Sequence, residues 1–351
     1  MSRCPAFSSR LLQWYEVHKR SLPWRESKDP YEIWISEIIL QQTRVDQGMA
    51  YYLRFIQQFP NALSLAEAEE KDVLKLWQGL GYYSRARNLH AAAKTILTEY
   101  KGHFPESYLE IKSLRGIGDY TAAAIASFAF KLAYPVIDGN VIRVISRLYG
   151  IDSPIQASET KKAIQKIAEE LIDKTAPDTY NQAIMEFGAL QCTPHNPSCE
   201  NCIFNMDCIA FNTGRVSELP KKKKVIKKRH RYFDYAVMKL GEKFILKKRT
   251  DKDIWENMYD FPLLENTQMP DSFALEQIFT EDQTSCFSPV FEKTSTWKTH
   301  ILSHQKIHAR FHEYRIKECN TSLPENWEIT ELDKIENYPV PKLIEHYLNG
   351  L

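Results

Sequence analysis

The chain has 351 residues, 43% of them apolar, 26% charged and 12% aromatic, with only 12 glycines. That balance excludes collagen-like, low-complexity and wholly disordered chains, and the length exceeds what one hydrophobic core usually serves, so two domains are expected. No apolar run approaches a membrane span, and residues 1–10 lack the apolar centre of a signal peptide, so a soluble, intracellular protein with no membrane partner is expected.

From the N-terminus the pattern is helical. Helix-length segments run over 31–42, 88–100, 120–130, 140–149, 159–171 and 180–190. A capping box at Ser64, Leu65, Ala66 and Glu67 predicts one helix carrying Leu65, Val73, Leu74, Trp77 and Leu80 as far as Gly79 and Gly81. Residues 213–230 read as a basic linker, a solvated spacer or a strap across a phosphate backbone. Beyond it, aromatic and branched residues at 232–240 and 243–248 flank Gly241-Glu242, the pattern of a β-hairpin. The expected architecture is an all-α domain over 1–212 and a smaller α+β domain over 231–351.

The net charge of +1 hides a division. Residues 1–212 hold 23 Lys+Arg against 24 Asp+Glu, residues 213–230 hold 8 against 1, and residues 231–351 hold 15 against 20. Positive charge is therefore local, and any nucleic-acid binding must use a shaped face rather than a general cation field.

Four groups of residues suggest chemistry. Cys192, Cys199, Cys202 and Cys208 form C-x6-C-x2-C-x5-C, and four thiolates this close suit a metal, either a single zinc or a 4Fe-4S cluster. Gly116-Ile117-Gly118 makes a turn between two helical stretches, able to hold a phosphate on the following helix's amides or simply to pack two helices. Glu37 is the only charge in an apolar run and shares a helix face with Ile33, Trp34, Leu40 and Gln41. Desolvation there would raise its pKa and keep it protonated as a general acid, unless it is a structural glutamate with a hydrogen-bond partner. Asp138 follows a proline break and precedes a helix, where it is an N-cap or a rigid carboxylate able to stabilise a cation.

Together these residues resemble the helix-hairpin-helix DNA glycosylases that carry an iron-sulfur cluster, over nearly all of 1–212. Within them, Leu22-Pro23-Trp24-Arg25, Ser36-Glu37-Ile38-Ile39-Leu40-Gln41-Gln42-Thr43 and Gly79-Leu80-Gly81-Tyr82-Tyr83 are similar to blocks of the adenine DNA glycosylase branch. The resemblance implies a monofunctional enzyme that acts as a monomer, in a bacterial nucleoid or a nucleus, on duplex DNA with adenine opposite 8-oxoguanine or guanine. Glu37 would protonate adenine at N7 and Asp138 would stabilise the sugar cation, with Tyr120 and Asn140 holding both in register. The four cysteines would hold 4Fe-4S, and Arg25, Gln42, Tyr82, Gly116, Gly118 and Thr121 would contact DNA. The glycosylase/lyase branch has a lysine nucleophile where this chain has Tyr120, which argues against Schiff-base chemistry. Residues 231–351 resemble the family's Nudix-like recognition domain. There Leu302, Ser303 and His304 would read 8-oxoguanine, with Leu302 in place of the usual phenylalanine. No magnesium-binding glutamate cluster is recognisable, so pyrophosphate hydrolysis is not expected.

Overall fold

A computed structural model describes residues 4–221, 228–279, 287–317 and 323–350. The central part of the basic linker, residues 222–227, lies outside them. The chain divides into two compact units, 1–67 with 88–224, and 68–87 with 225–351.

Thirteen helices precede the linker among the described residues: α1 Cys4–His18, α2 Pro23–Glu26, α3 Pro30–Leu40, α4 Val45–Gln58, α5 Ala62–Glu67, α6 Glu70–Leu76, α7 Ser84–Glu99, α8 Tyr108–Ser113, α9 Asp119–Phe130, α10 Gly139–Tyr149, α11 Ser158–Leu171, α12 Pro177–Leu190 and α13 Ile209–Asn212. Local chemistry sets their starts. Asp29 accepts from the Tyr31 amide at 2.8 Å with Pro30 at the first helical position, and Ser107 caps α8 through the Glu110 amide. The box expected at Ser64 lies one turn earlier. Asn61 is the cap, its Oδ1 accepting from the Ser64 amide at 2.9 Å while its own amide donates to Ser64 Oγ at 3.3 Å. The single helix expected beyond it is two short ones, α5 and α6. In the first unit a core joins Leu11 and Trp14 of α1, Val144 and Ile145 of α10, Ile164 of α11 and Phe187 of α12. Their burial is worth roughly 1.5–3 kcal/mol per side chain before the entropy of ordering is charged.

The second unit is built on an eight-stranded mixed sheet: β1 Arg229–Leu240, β2 Lys243–Lys248, β3 Tyr259–Asp260, β4 Leu263–Asn266, β5 Val290–Thr294, β6 Lys298–Ile301, β7 Gln305–Arg315 and β8 Trp327–Glu331, with α14 Lys342–Leu348 after it. The expected hairpin is present, β1 pairing antiparallel with β2 across Gly241-Glu242, while β1 and β7 run parallel from Arg229↔Gln305 to Lys239↔Arg315. Residues 68–87 pack with this unit although their sequence reads as part of the helical domain. Long-range bonds hold them there: Asn257 Nδ2 donates to Glu70 at 2.5 Å, Lys75 Nζ to the Tyr338 carbonyl at 3.3 Å, and Arg87 pairs with Glu256 at 2.8 Å. No helix among the described residues is long and apolar enough to cross a membrane.

Candidate active site

In the first unit α3 packs against α9, which brings Glu37 to Tyr120. Tyr120 OH donates to Glu37 Oε2 at 2.5 Å, and Glu37 is only 5% exposed. Burial raises its carboxyl to about 7; the Tyr120 hydrogen bond opposes the rise and the charge of Asp138 adds to it. A carboxyl so placed can hold a proton near neutral pH and give it up. Asp138 is indeed the N-cap of α10, its Oδ1 accepting from the Val141 amide at 2.8 Å and its Oδ2 from Asn140 Nδ2 at 2.7 Å. Burial pushes its pKa up as well, against those two donors. The capping role and a chemical role are compatible, because the cap holds the carboxylate in one orientation.

Behind this pair lies a guanidinium that sequence reasoning missed. Arg143 Nη2 donates to Asn140 Oδ1 at 2.9 Å and to the Gly188 carbonyl at 2.6 Å, and its Nε donates to the Cys192 carbonyl at 2.7 Å. Gly188 makes this approach possible, since a Cβ there would lie 2.6 Å from that of Asn140. A second missed residue is Glu186, whose side chain is fully buried and bound by two arginines. Arg20 reaches it at 2.6 and 2.8 Å, Arg25 at 2.8 and 3.0 Å. Burial pushes the Glu186 carboxyl up, but the two guanidinium groups outweigh it and bring it down to about 2. Its signal in the sequence was the one that drew attention to Glu37, a lone acid in an apolar run, here from Ala183 to Leu190. Arg25 is thus committed to Glu186 rather than presented outward. A cavity of about 380 Å³ opens beside it, lined by Tyr15, Trp24, Arg25 and Gln182, but neither Glu37 nor Asp138 reaches its wall, so it does not mark the site of bond cleavage.

The turn between α8 and α9 has Gly116 at φ +83° and Gly118 as the N-cap of α9. Gly116 is required by contact: a Cβ there would fall 2.6 Å from the Asn88 Cβ. Open space lies where Gly118 would carry a side chain, beside the first amides of α9, which leaves room for an anion. Thr121 is buried and accepts from Gln41 Nε2 at 3.2 Å, so it supports the adjoining loop rather than facing outward. Gln42 is exposed and has φ +57°, a left-handed backbone that a non-glycine residue adopts at a cost of roughly 1 kcal/mol or more.

The four cysteines line one small, largely apolar cavity together with Val144, Phe187 and Phe204. Arg147 Nη1 and the Phe204 amide each approach a thiol sulfur, Cys192 and Cys202, at 3.4 Å. Among the described residues no three His, Cys, Asp or Glu side chains converge as they would on a single ion.

In the second unit the structure brings together residues that the sequence singled out separately. Tyr82, at φ +49° and 40% exposed, is hydrogen-bonded to Ser303. Both border a cavity of about 470 Å³, as do Trp255, His300, Leu302 and His304. The Leu302 amide donates to the Gln305 carbonyl at 2.9 Å, closing the turn that presents Ser303 and His304 to solvent.

Residues 35–170 match the HhH-GPD superfamily of base excision DNA repair proteins, and residues 235–350 match the NUDIX domain. The first unit and its paired carboxylates therefore define a helix-hairpin-helix protein of base excision repair. The adenine DNA glycosylase of Buchnera aphidicola subsp. Schizaphis graminum is 40% identical over 263 residues, covering 73% of this chain and 74% of that one. That of Buchnera aphidicola subsp. Acyrthosiphon pisum is 36% identical over 298 residues, 84% and 85% of the two chains. The chain belongs to the adenine DNA glycosylase family. Among solved structures, a thermostable thymine-DNA glycosylase is 29% identical with a TM-score of 0.56, over 60% of this chain and 96% of that one.

Proposed function

We propose that this protein hydrolyses the N-glycosidic bond of adenine mispaired with 8-oxoguanine or guanine in duplex DNA. The observation that carries the reading is Glu37, buried, held at 2.5 Å by Tyr120 and with its carboxyl raised to about 7. As the C1′–N9 bond breaks, its electron pair passes to the departing adenine, and Glu37 supplies the proton that adenine takes at N7. The cationic charge left on the sugar faces Asp138, whose orientation Asn140 and the Val141 amide fix. Water then attacks C1′ and loses a proton, which restores Glu37. Tyr120 is a phenol bonded to Glu37, and a phenol forms no Schiff base, which favours a glycosylase without lyase activity.

Extrusion of adenine leaves a gap, for which Gln42 and Tyr82 are the wedges, while the Gly116 and Gly118 amides take a phosphate without reading sequence. The turn bearing Leu302, Ser303 and His304 would read the oxidised base from the 231–351 domain. Four thiols around one apolar cavity, with N–H donors on two sulfurs, fit a 4Fe-4S cluster better than a single ion. Such a cluster would supply structure to the 192–208 loop, which contains no proposed acid or base. The protein would act as a monomer wherever its DNA lies, nucleoid or nucleus. Single-turnover adenine release from duplexes with adenine opposite 8-oxoguanine, guanine and thymine tests the reading. Release from the first two and not the third is expected; release from none, or equal release from all three, would overturn it.

A further inference from the structure

The loop that carries Asp138 is held from two sides. On the inner side Asn181, fully buried, accepts from the Val136 amide at 3.0 Å and donates to the Tyr134 carbonyl at 2.9 Å and to Ser127 Oγ at 2.8 Å. On the outer side the Tyr134 ring stacks on Tyr108 of α8, with centroids 4.2 Å apart and planes within 12°. Tyr134 is 39% exposed, so the stack is not part of the core. Tyr108 itself is bound to the other end of the phosphate turn. Its hydroxyl donates to Asp119 Oδ1 at 2.9 Å, and Lys112 pairs with the same carboxylate. These two bonds join α8 to the first residue of α9 across Gly116 and Gly118.

We propose that the Tyr108–Tyr134 stack is a positioning device that ties the phosphate-gripping turn to the loop carrying Asp138, so that seating the DNA backbone sets this carboxylate against the sugar. The inference rests on the proposed roles of the turn and of Asp138. A carboxylate displaced by about 1 Å from its working position costs on the order of 10²-fold in rate, whereas a flat surface contact adds little to stability. Neither tyrosine touches the reacting atoms in this account.

The test compares Tyr134→Ala and Tyr134→Phe with the wild-type full chain on a duplex holding adenine opposite 8-oxoguanine. Tyr134→Ala should lose about tenfold or more in single-turnover rate, while Tm and the Kd for a duplex with a non-cleavable 2′-fluoro adenosine stay near wild type. Tyr134→Phe keeps the stack and should restore the rate. Hydrogen exchange gives a readout independent of turnover: DNA binding should protect the amides of 132–138 in the wild type and the Phe variant, and less in the Ala variant. An unchanged rate and unchanged protection in Tyr134→Ala would overturn the proposal. So would a loss confined to Kd, which would make Tyr134 a plain DNA contact, or a loss matched by a fall in Tm. An inactive wild type would instead contradict the function itself, and the exchange experiment would still decide the role of the stack.

Discussion

The candidate site of the first unit and the sheet of the second hold their carboxylates differently. In the second unit acids meet guanidinium groups: Asp234 is bound by Arg310 and His312, Asp253 by Arg231 and Arg249, and burial's upward push on both is outweighed by these partners. Asp260 is raised to about 6 by burial, yet Arg249 still lies 2.8 Å from it. In the first unit Glu186 is likewise bound by Arg20 and Arg25, but Glu37 and Asp138 are held by neutral donors, a phenol, an amide side chain and a backbone amide. Pairing with a cation fixes a carboxylate's charge and uses it for structure, whereas neutral hydrogen bonds fix its position and leave the proton free to move. The difference sets Glu37 and Asp138 apart from the arginine-bound acids of both units.

Substitution separates the two kinds of carboxylate. Glu37→Gln should lose on the order of 10² to 10⁴ in single-turnover rate with DNA binding retained, since the amide has no proton to give. The same variant should be the more stable protein at high pH. Below about pH 4.5 the glutamate is protonated folded and unfolded alike, and no penalty exists. As pH rises toward 7 the unfolded chain ionises while the folded one keeps its proton, so wild type loses up to about 3 kcal/mol that Gln does not lose. Denaturant titrations at pH 5 and pH 8 would show the gap widening; a constant gap would place Glu37 in an ordinary solvated environment. Asp138→Asn should lose roughly 10²-fold in rate with only a small fall in Tm, because asparagine keeps the cap on the Val141 amide and loses the bond from Asn140 Nδ2. Cys199→Ser should reduce iron content, about four per chain in wild type, and harm folding or DNA docking more than the chemical step. Stoichiometric zinc in a colourless wild type would contradict the cluster. The smallest effect falls in the second unit. Ser303→Ala with His304→Ala should weaken the preference for 8-oxoguanine over guanine by roughly 1 to 3 kcal/mol, read as the ratio of the two release rates. Equal loss on both duplexes would mean that this turn only clamps DNA.

Much of this was legible in the sequence because its signals are local. The helix expected over 140–149 is Gly139–Tyr149, and that over 120–130 is Asp119–Phe130, since caps and breakers mark their ends. Glu37 could be found because it is the one charge in an apolar run, although the same signal at Glu186 marks an acid bound by two arginines. What escaped was non-local. Residues 68–87 look like any other helical segment, and only Asn257, Tyr338 and Glu256, far along the chain, show which unit they join. Arg25 lies in a block shared with the family, but its partner is Glu186, 161 residues away. Thr121 follows the phosphate turn in sequence and is nonetheless buried, because the helix rotates it toward Gln41.

A Glu37 that works as a buried acid poised near neutral pH leaves its mark on the pH dependence of single-turnover adenine release. With a duplex bearing adenine opposite 8-oxoguanine held at saturation, the wild-type rate should fall as pH rises through about 7, because the protonated fraction of Glu37 falls with it. The residual rate of Glu37→Gln should show no step there. A wild-type rate that is flat across pH 6 to 8, or that rises through it, would contradict the account.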